Sequence, residues 1–144
     1  MDESKFFEAV QSLAQSLSQW DLLIIAGSMV MIVSTDYYRP AARWMRLTYL
    51  LFLPSWIYLA SSIYWGIQIQ GSYVAYLIAS LRKDTDPQKA GIISSIVSKV
   101  NSNTASQILC LKIALLFIAV WLVVYICWWV FADKIQEEGR SDAS

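Results

Sequence analysis

A chain of 144 residues that is 57% hydrophobic and only 15% charged lies well below the roughly 25% charged residues of ordinary soluble domains. Its apolar residues come in blocks, the pattern of a single-domain integral membrane protein. Eleven basic and eleven acidic residues leave no net charge, so no global field recruits nucleic acid or an acidic partner.

No histidine is present, which removes the commonest general base, metal ligand and haem ligand together. The start, "MDESKFFEAVQSLAQSLSQWD", has neither a basic n-region nor an early apolar run, so a cleavable signal peptide is not expected. Residues 1–20 instead read as an amphipathic helix. Phe6, Val10, Leu13, Leu17 and Trp20 share one face, and Glu3, Glu8, Gln11, Ser12, Gln15, Ser16 and Gln19 the other. That polar face is not basic, so packing on other helices explains it better than attraction to anionic lipid.

Residues 21–38 form the first expected crossing. Its uncharged stretch, "LLIIAGSMVMIVST" (22–35), is short and bounded by Asp21 and Asp36. Both aspartates are expected among headgroups, with Trp20, Tyr37 and Tyr38 marking the interfaces. A basic connection with Arg39, Arg43 and Arg46 follows, where Pro40 ends one helix and can open the next.

Between Arg46 and Arg82 no charged side chain occurs. As one helix those residues 47–81 run about 52 Å, against a hydrocarbon core of roughly 30 Å. The second crossing is therefore assigned to residues 45–66, kinked at Pro54 and ending on Tyr64 and Trp65. The excess is read as a helical extension beyond the bilayer. Val74, Leu77, Ile78 and Leu81 give it one apolar face, and Ile92, Ile93, Ile96, Val97 and Val100 give a facing stripe on the next helix. Asp86 and Pro87 cap and open that helix. Residues 67–106 thus form an extramembrane antiparallel hairpin packed through those nine residues. "NSNT" at 101–104 either bends the chain or is traversed by a straight helix.

Residues 107–132 form the third crossing. Lys112 is the one ionisable group inside it, placed to snorkel or to contact an anion or lipid headgroup. Residues 133–144 read as a solvated, disordered tail. Cys110 and Cys127, the only cysteines, are about 25 Å apart on one helix and beyond disulfide reach. Trp56, Tyr58, Trp121 and Tyr125 lie deeper than interfacial belts require and point to burial against protein.

Three crossings put the N-terminus and hairpin on one side, the basic connection and C-terminus on the other. Basic residues balance, with Lys5, Arg82, Lys83, Lys89 and Lys99 facing Arg39, Arg43, Arg46, Lys134 and Arg140. A cytoplasmic hairpin in the inner or plasma membrane is the expectation, because the polar N-terminus then needs no translocation.

No glycine-rich phosphate loop, metal-ligand spacing or carboxylate pair within a crossing supports catalysis, and no acidic residue is expected at mid-depth. The chain is thus expected to be no enzyme and to hold no metal or cofactor. The one further pattern is Thr48, Ser55, Ser62 and Gly66, spaced by seven, seven and four. These small residues mark one face of the second helix as a packing surface, an oligomer interface or the lining of a path. Gly27 and Ser28 are candidate partners for it.

The expected architecture is all-α: three transmembrane helices, an N-terminal amphipathic helix and a hairpin extending the second and third. Two functions fit. One is a homo-oligomeric membrane assembly, a channel or permeabilising effector with a soluble helical collar. The other is an accessory subunit of a larger membrane complex.

Overall fold

The computed structural model describes residues 3–34, 47–81 and 88–141. Among them there is no strand. Helix α1 spans Glu3–Ser34, a 3-10 turn Tyr49–Leu51 leads into α2 at Phe52–Ser80, and α3 spans Lys89–Ser141. All three are long and apolar enough to cross a membrane, over Lys5–Val33, Tyr49–Ser80 and Lys89–Trp128. Residues 35–46 and 82–87 lie outside the described residues. The connection with Arg39, Pro40, Arg43 and Arg46, the interfacial Tyr37 and Tyr38, and the helix-opening Asp86 and Pro87 fall there.

The boundary expected between residues 20 and 21 falls inside the continuous α1. No proline occurs in the segment, and "SLSQWDLL" carries helix-compatible side chains throughout. Ser18 donates to the Ala14 carbonyl at 3.0 Å, a bond that keeps its hydroxyl within the helix. Pro54 lies in the first turn of α2, so its effect is local: it cannot donate to the carbonyl four residues earlier, and the chain tightens there into the 3-10 turn. "NSNT" is traversed without a break by α3, where Thr104 donates to the Val100 carbonyl at 2.8 Å. The helical backbone also continues through residues 133–141, which are rich in the helix formers Lys, Gln and Glu.

The helices pack as a bundle with α2 between its neighbours. Phe7 meets Tyr76 and Ser28 meets Trp56, so α1 and α2 are antiparallel. Gly66 lies beside Gln107, and Ser55 bonds Ala114, so α2 and α3 are antiparallel as well. The buried positions repeat every seven residues. On α1 they are Phe7, Ala14, Asp21 and Ser28. On α2 they run Phe52, Ser55, Leu59, Ser62, Gly66 and Ile69, alternating steps of three and four. On α3 they include Asn103, Gln107, Ala114 and Trp121. A sustained repeat of seven keeps one seam facing its partners only if the helices wind left-handed about each other.

Each end of the bundle is aromatic. Phe7 stacks on Tyr76 with centroids 4.0 Å apart, among Val10, Ile69, Ile93, Ile96, Val97 and Val100. At the other end Trp121 sits 4.8 Å from Phe52 and stacks on Tyr125 at 5.3 Å. Tyr58 stacks on Phe117 at 6.2 Å, so the deep aromatics do meet protein rings.

The hairpin face differs on one helix of the expected pair. On α3 the stripe packs inward, with Ile92 half-buried. On α2, however, Val74, Leu77, Ile78 and Leu81 are exposed, and Ser72, Tyr76 and Ala79 are buried instead. The reason is Phe7: α1 runs the full length of the bundle, and α2 must present one continuous heptad seam to both neighbours.

Candidate functional site: a buried polar waist and an uncovered apolar face

Between the aromatic ends, small and polar side chains meet. Gly66 is the pivot. A Cβ there would lie 2.6 Å from Ser18 Oγ and 2.9 Å from Gln107 Nε2, so only glycine lets side chains from α1 and α3 reach each other across α2. Gln107, fully buried, donates from Nε2 to the Ala14 carbonyl at 3.2 Å and to Ser18 Oγ at 3.5 Å. Further along, Ser55 donates to the Ala114 carbonyl at 3.1 Å. Trp56 Nε1 donates to Ser28 Oγ at 2.8 Å, and Ser28 donates in turn to the Ile25 carbonyl.

One turn from Ser18, Gly66 and Gln107 lies Asp21, with 0% of its surface exposed. The Ser62 side chain lies against its carboxyl, yet neither group reaches hydrogen-bond geometry. Both Asp21 oxygens, Ser62 Oγ and Gln107 Oε1 are buried with no hydrogen-bond partner among the described residues. Asn103 Nδ2, one turn further along α3, is likewise an unpartnered donor. No described basic side chain is buried with them, since Lys5, Lys99 and Lys112 are exposed and Lys89 lies at the bundle's end.

The small-residue stripe is thus used inside the protomer. Ser55 and Ser62 are fully buried, Gly66 is buried, and Thr48 is half-buried before the 3-10 turn. Ser28 joins that packing, whereas Gly27 faces open space. Lys112 is exposed on the outer face of α3 and does not approach Asp21's site. Cys110 is half-buried near Asp21 and Cys127 exposed; both are free thiols.

Asp21 is expected at the boundary of an apolar run; instead it lies within the continuous α1, inside the apolar stretch Lys5–Val33, and is fully buried against its neighbours. Reading it as a headgroup residue follows from treating a charge as the end of an apolar run. The signal that locates it is periodicity: Phe7, Ala14, Asp21 and Ser28 recur every seven residues, which puts Asp21 on the seam.

The outside of the bundle is apolar where a bilayer would be, with Leu22, Leu23, Leu53, Ile57, Leu116 and Val123 exposed. At the Phe7–Tyr76 end the three helices differ. There α1 exposes Lys5, Glu8, Ser12 and Gln15, Leu13 apart, and α3 exposes Ser94, Ser95, Ser98, Lys99, Asn101 and Ser102. α2 alone exposes Val74, Leu77, Ile78 and, at 85%, Leu81. Among the described residues no group of three or more Cys, Asp or Glu side chains is placed to hold a metal ion. No protein-family model matches the chain, and no curated protein or solved structure matches it either.

Proposed function

We propose that this chain is a multi-pass membrane protein that works as a homo-oligomeric assembly, its copies joined through the outer face of α2. The observation that carries the reading is the apolar face of α2 at a level where α1 and α3 are polar. Lipid cannot cover Val74 and Ile78 there while leaving Glu8 and Lys99 in water, so protein must.

A second copy is the occupant that fits. Leu53, Ile57, Tyr64, Ile67, Val74 and Ile78 continue one seven-residue repeat along the exposed side of α2. That stripe is uncharged throughout, so nothing in it repels its own image across a two-fold axis. Gly71 lies within it and faces open space in the protomer. An exposed mid-helix glycine costs about 1 kcal/mol relative to alanine, and close approach of a second helix backbone is what such a residue permits. The hairpin end then forms a helical collar outside the bilayer. Permeation in such an assembly runs between copies, because Ser55, Ser62 and Gly66 are packed shut within each one.

The test is Ile78→Glu and Val74→Glu, each measured by native mass spectrometry after mild detergent extraction. Wild type is expected as a homo-oligomer. Either variant should raise its dissociation constant by about two orders of magnitude or more, since burying an unpaired charge costs several kcal/mol. Helix content should stay at the wild-type value, because both side chains are exposed in the protomer. The thermal midpoint should fall only by the stabilisation that association supplies, losing its dependence on protein concentration. Monomeric wild type that co-purifies stoichiometrically with an unrelated membrane subunit would replace this reading by the accessory one. Passage of ions or small dyes through proteoliposomes, lost in the two variants, would establish conduction by the assembly.

A further inference from the structure

We infer that the waist of each protomer binds one small monovalent cation, of sodium's size class, between Asp21, Ser62 and Gln107. Four oxygen atoms carry the inference: both carboxylate oxygens of Asp21, Ser62 Oγ and Gln107 Oε1. They come from all three helices and have no partner among the described residues. Asp21 and Ser62 adjoin each other, about one turn along from Ser18 and Gly66, which Gln107 touches. A buried polar atom without a hydrogen bond is strongly disfavoured, and four from three side chains are more so. The orientation of the Gln107 amide is set by its neighbour. The Ala14 carbonyl can only accept, so Nε2 must face it and Oε1 is the atom left over.

The chemistry of the donor set selects the ligand. All four atoms are hard oxygens, which suits an alkali or alkaline-earth cation and not a thiophilic transition metal. There is a single carboxylate. A monovalent cation neutralises it, whereas a divalent one would leave a net positive charge in a low-dielectric interior. Size follows from packing. Asp21, Ser62 and Gln107 are fully buried, and the adjacent layer has no room even for a methyl group at Gly66, so a compact cation fits better than a large one. The ion would also tie α1 to α2 and α3. This site is independent of how copies of the chain associate.

Two measurements on the full-length protein in mild detergent test it, at matched ionic strength in NaCl, KCl and choline chloride. The first is saturable binding of radioactive sodium by scintillation proximity. The second is the thermal midpoint, expected to rise by about 5 °C or more in sodium at a hundred times the dissociation constant, relative to choline. Asp21→Asn should abolish both effects. Ser62→Ala should weaken sodium binding roughly ten- to a hundredfold, the usual loss of one contact to a charged group. Its midpoint in choline should be unchanged or higher, since an orphaned hydroxyl has been removed; that combination is not produced by loss of structure. If Asp21→Asn does not fold, the serine variant alone decides. Equal midpoints in all three salts with no saturable sodium binding would overturn the proposal and leave Asp21 as a neutral buried acid. So would a sodium effect that persists unchanged in Asp21→Asn or Ser62→Ala.

Discussion

Gly66→Leu is expected to be the most damaging single substitution in the chain. A Cβ at this position already meets Ser18 Oγ at 2.6 Å and Gln107 Nε2 at 2.9 Å. Three further carbons have nowhere to go while α1 and α3 stay in place. Overpacking commonly costs 1–3 kcal/mol, and here the Gln107 bonds to Ala14 and Ser18 are lost as well, so a loss of about 3 kcal/mol or more is expected. Reversible unfolding of detergent-solubilised protein by a denaturing detergent measures it. Gly71→Leu is the matched control, because a Cβ there meets nothing within 4 Å. It should leave the protomer as stable as wild type or up to about 1 kcal/mol more so, through helix propensity, and change the size of the assembly. Equal stability of Gly66→Leu and wild type would mean that the helices do not approach closely at the waist.

Phe7→Ala has the second largest expected effect, about 3 kcal/mol on the scale of buried Phe truncations. Phe7 is 2% exposed and stacks on Tyr76 at 4.0 Å. Its loss opens a cavity where α1, α2 and α3 meet, and local opening should follow at residues 3–16. Hydrogen exchange read by mass spectrometry should therefore speed up in that segment while the α3 amides at 109–126 keep their protection. The substitution separates two roles for the N-terminal segment. A helix lying in the membrane interface would lose lipid affinity without loosening the bundle. A helix packed along α2 loosens it.

Helix class and the three apolar spans were legible in residue order alone, because hydropathy and length are properties of a segment and need no neighbour. That Ser55, Ser62 and Gly66 share a close-contact face was legible for a related reason, whereas its use inside the protomer, and not at an oligomer interface or along a path, was not. Small side chains recurring at seven and four residues mark a close-contact face whichever helix arrives there. The same holds on α3, where Ile93, Ile96, Val97 and Val100 pack inward as their spacing predicts.

What the tertiary structure decided is which of several admissible faces is the inner one, and what a charge means. On α2 between residues 67 and 81 two stripes compete. Val74, Leu77, Ile78 and Leu81 form the more hydrophobic, while Ser72, Tyr76 and Ala79 carry small and aromatic groups. Hydropathy favours the first, but the bundle buries the second. A continuous helix cannot rotate its seam partway along, and Ser62, Gly66 and Ile69 have already set the register. The more apolar stripe is left outside, where it becomes the surface that a second copy is proposed to cover. Asp21 is the other case. By residue order a carboxylate next to an apolar run ends that run. In the folded chain α1 continues through it without a break, because its position on the heptad seam places the side chain among Ser18, Ser62 and Gln107 and not in lipid. Segment hydropathy is additive and local, whereas the environment of one side chain depends on all three helices at once, so the most distinctive group in the protein emerges only when they are packed.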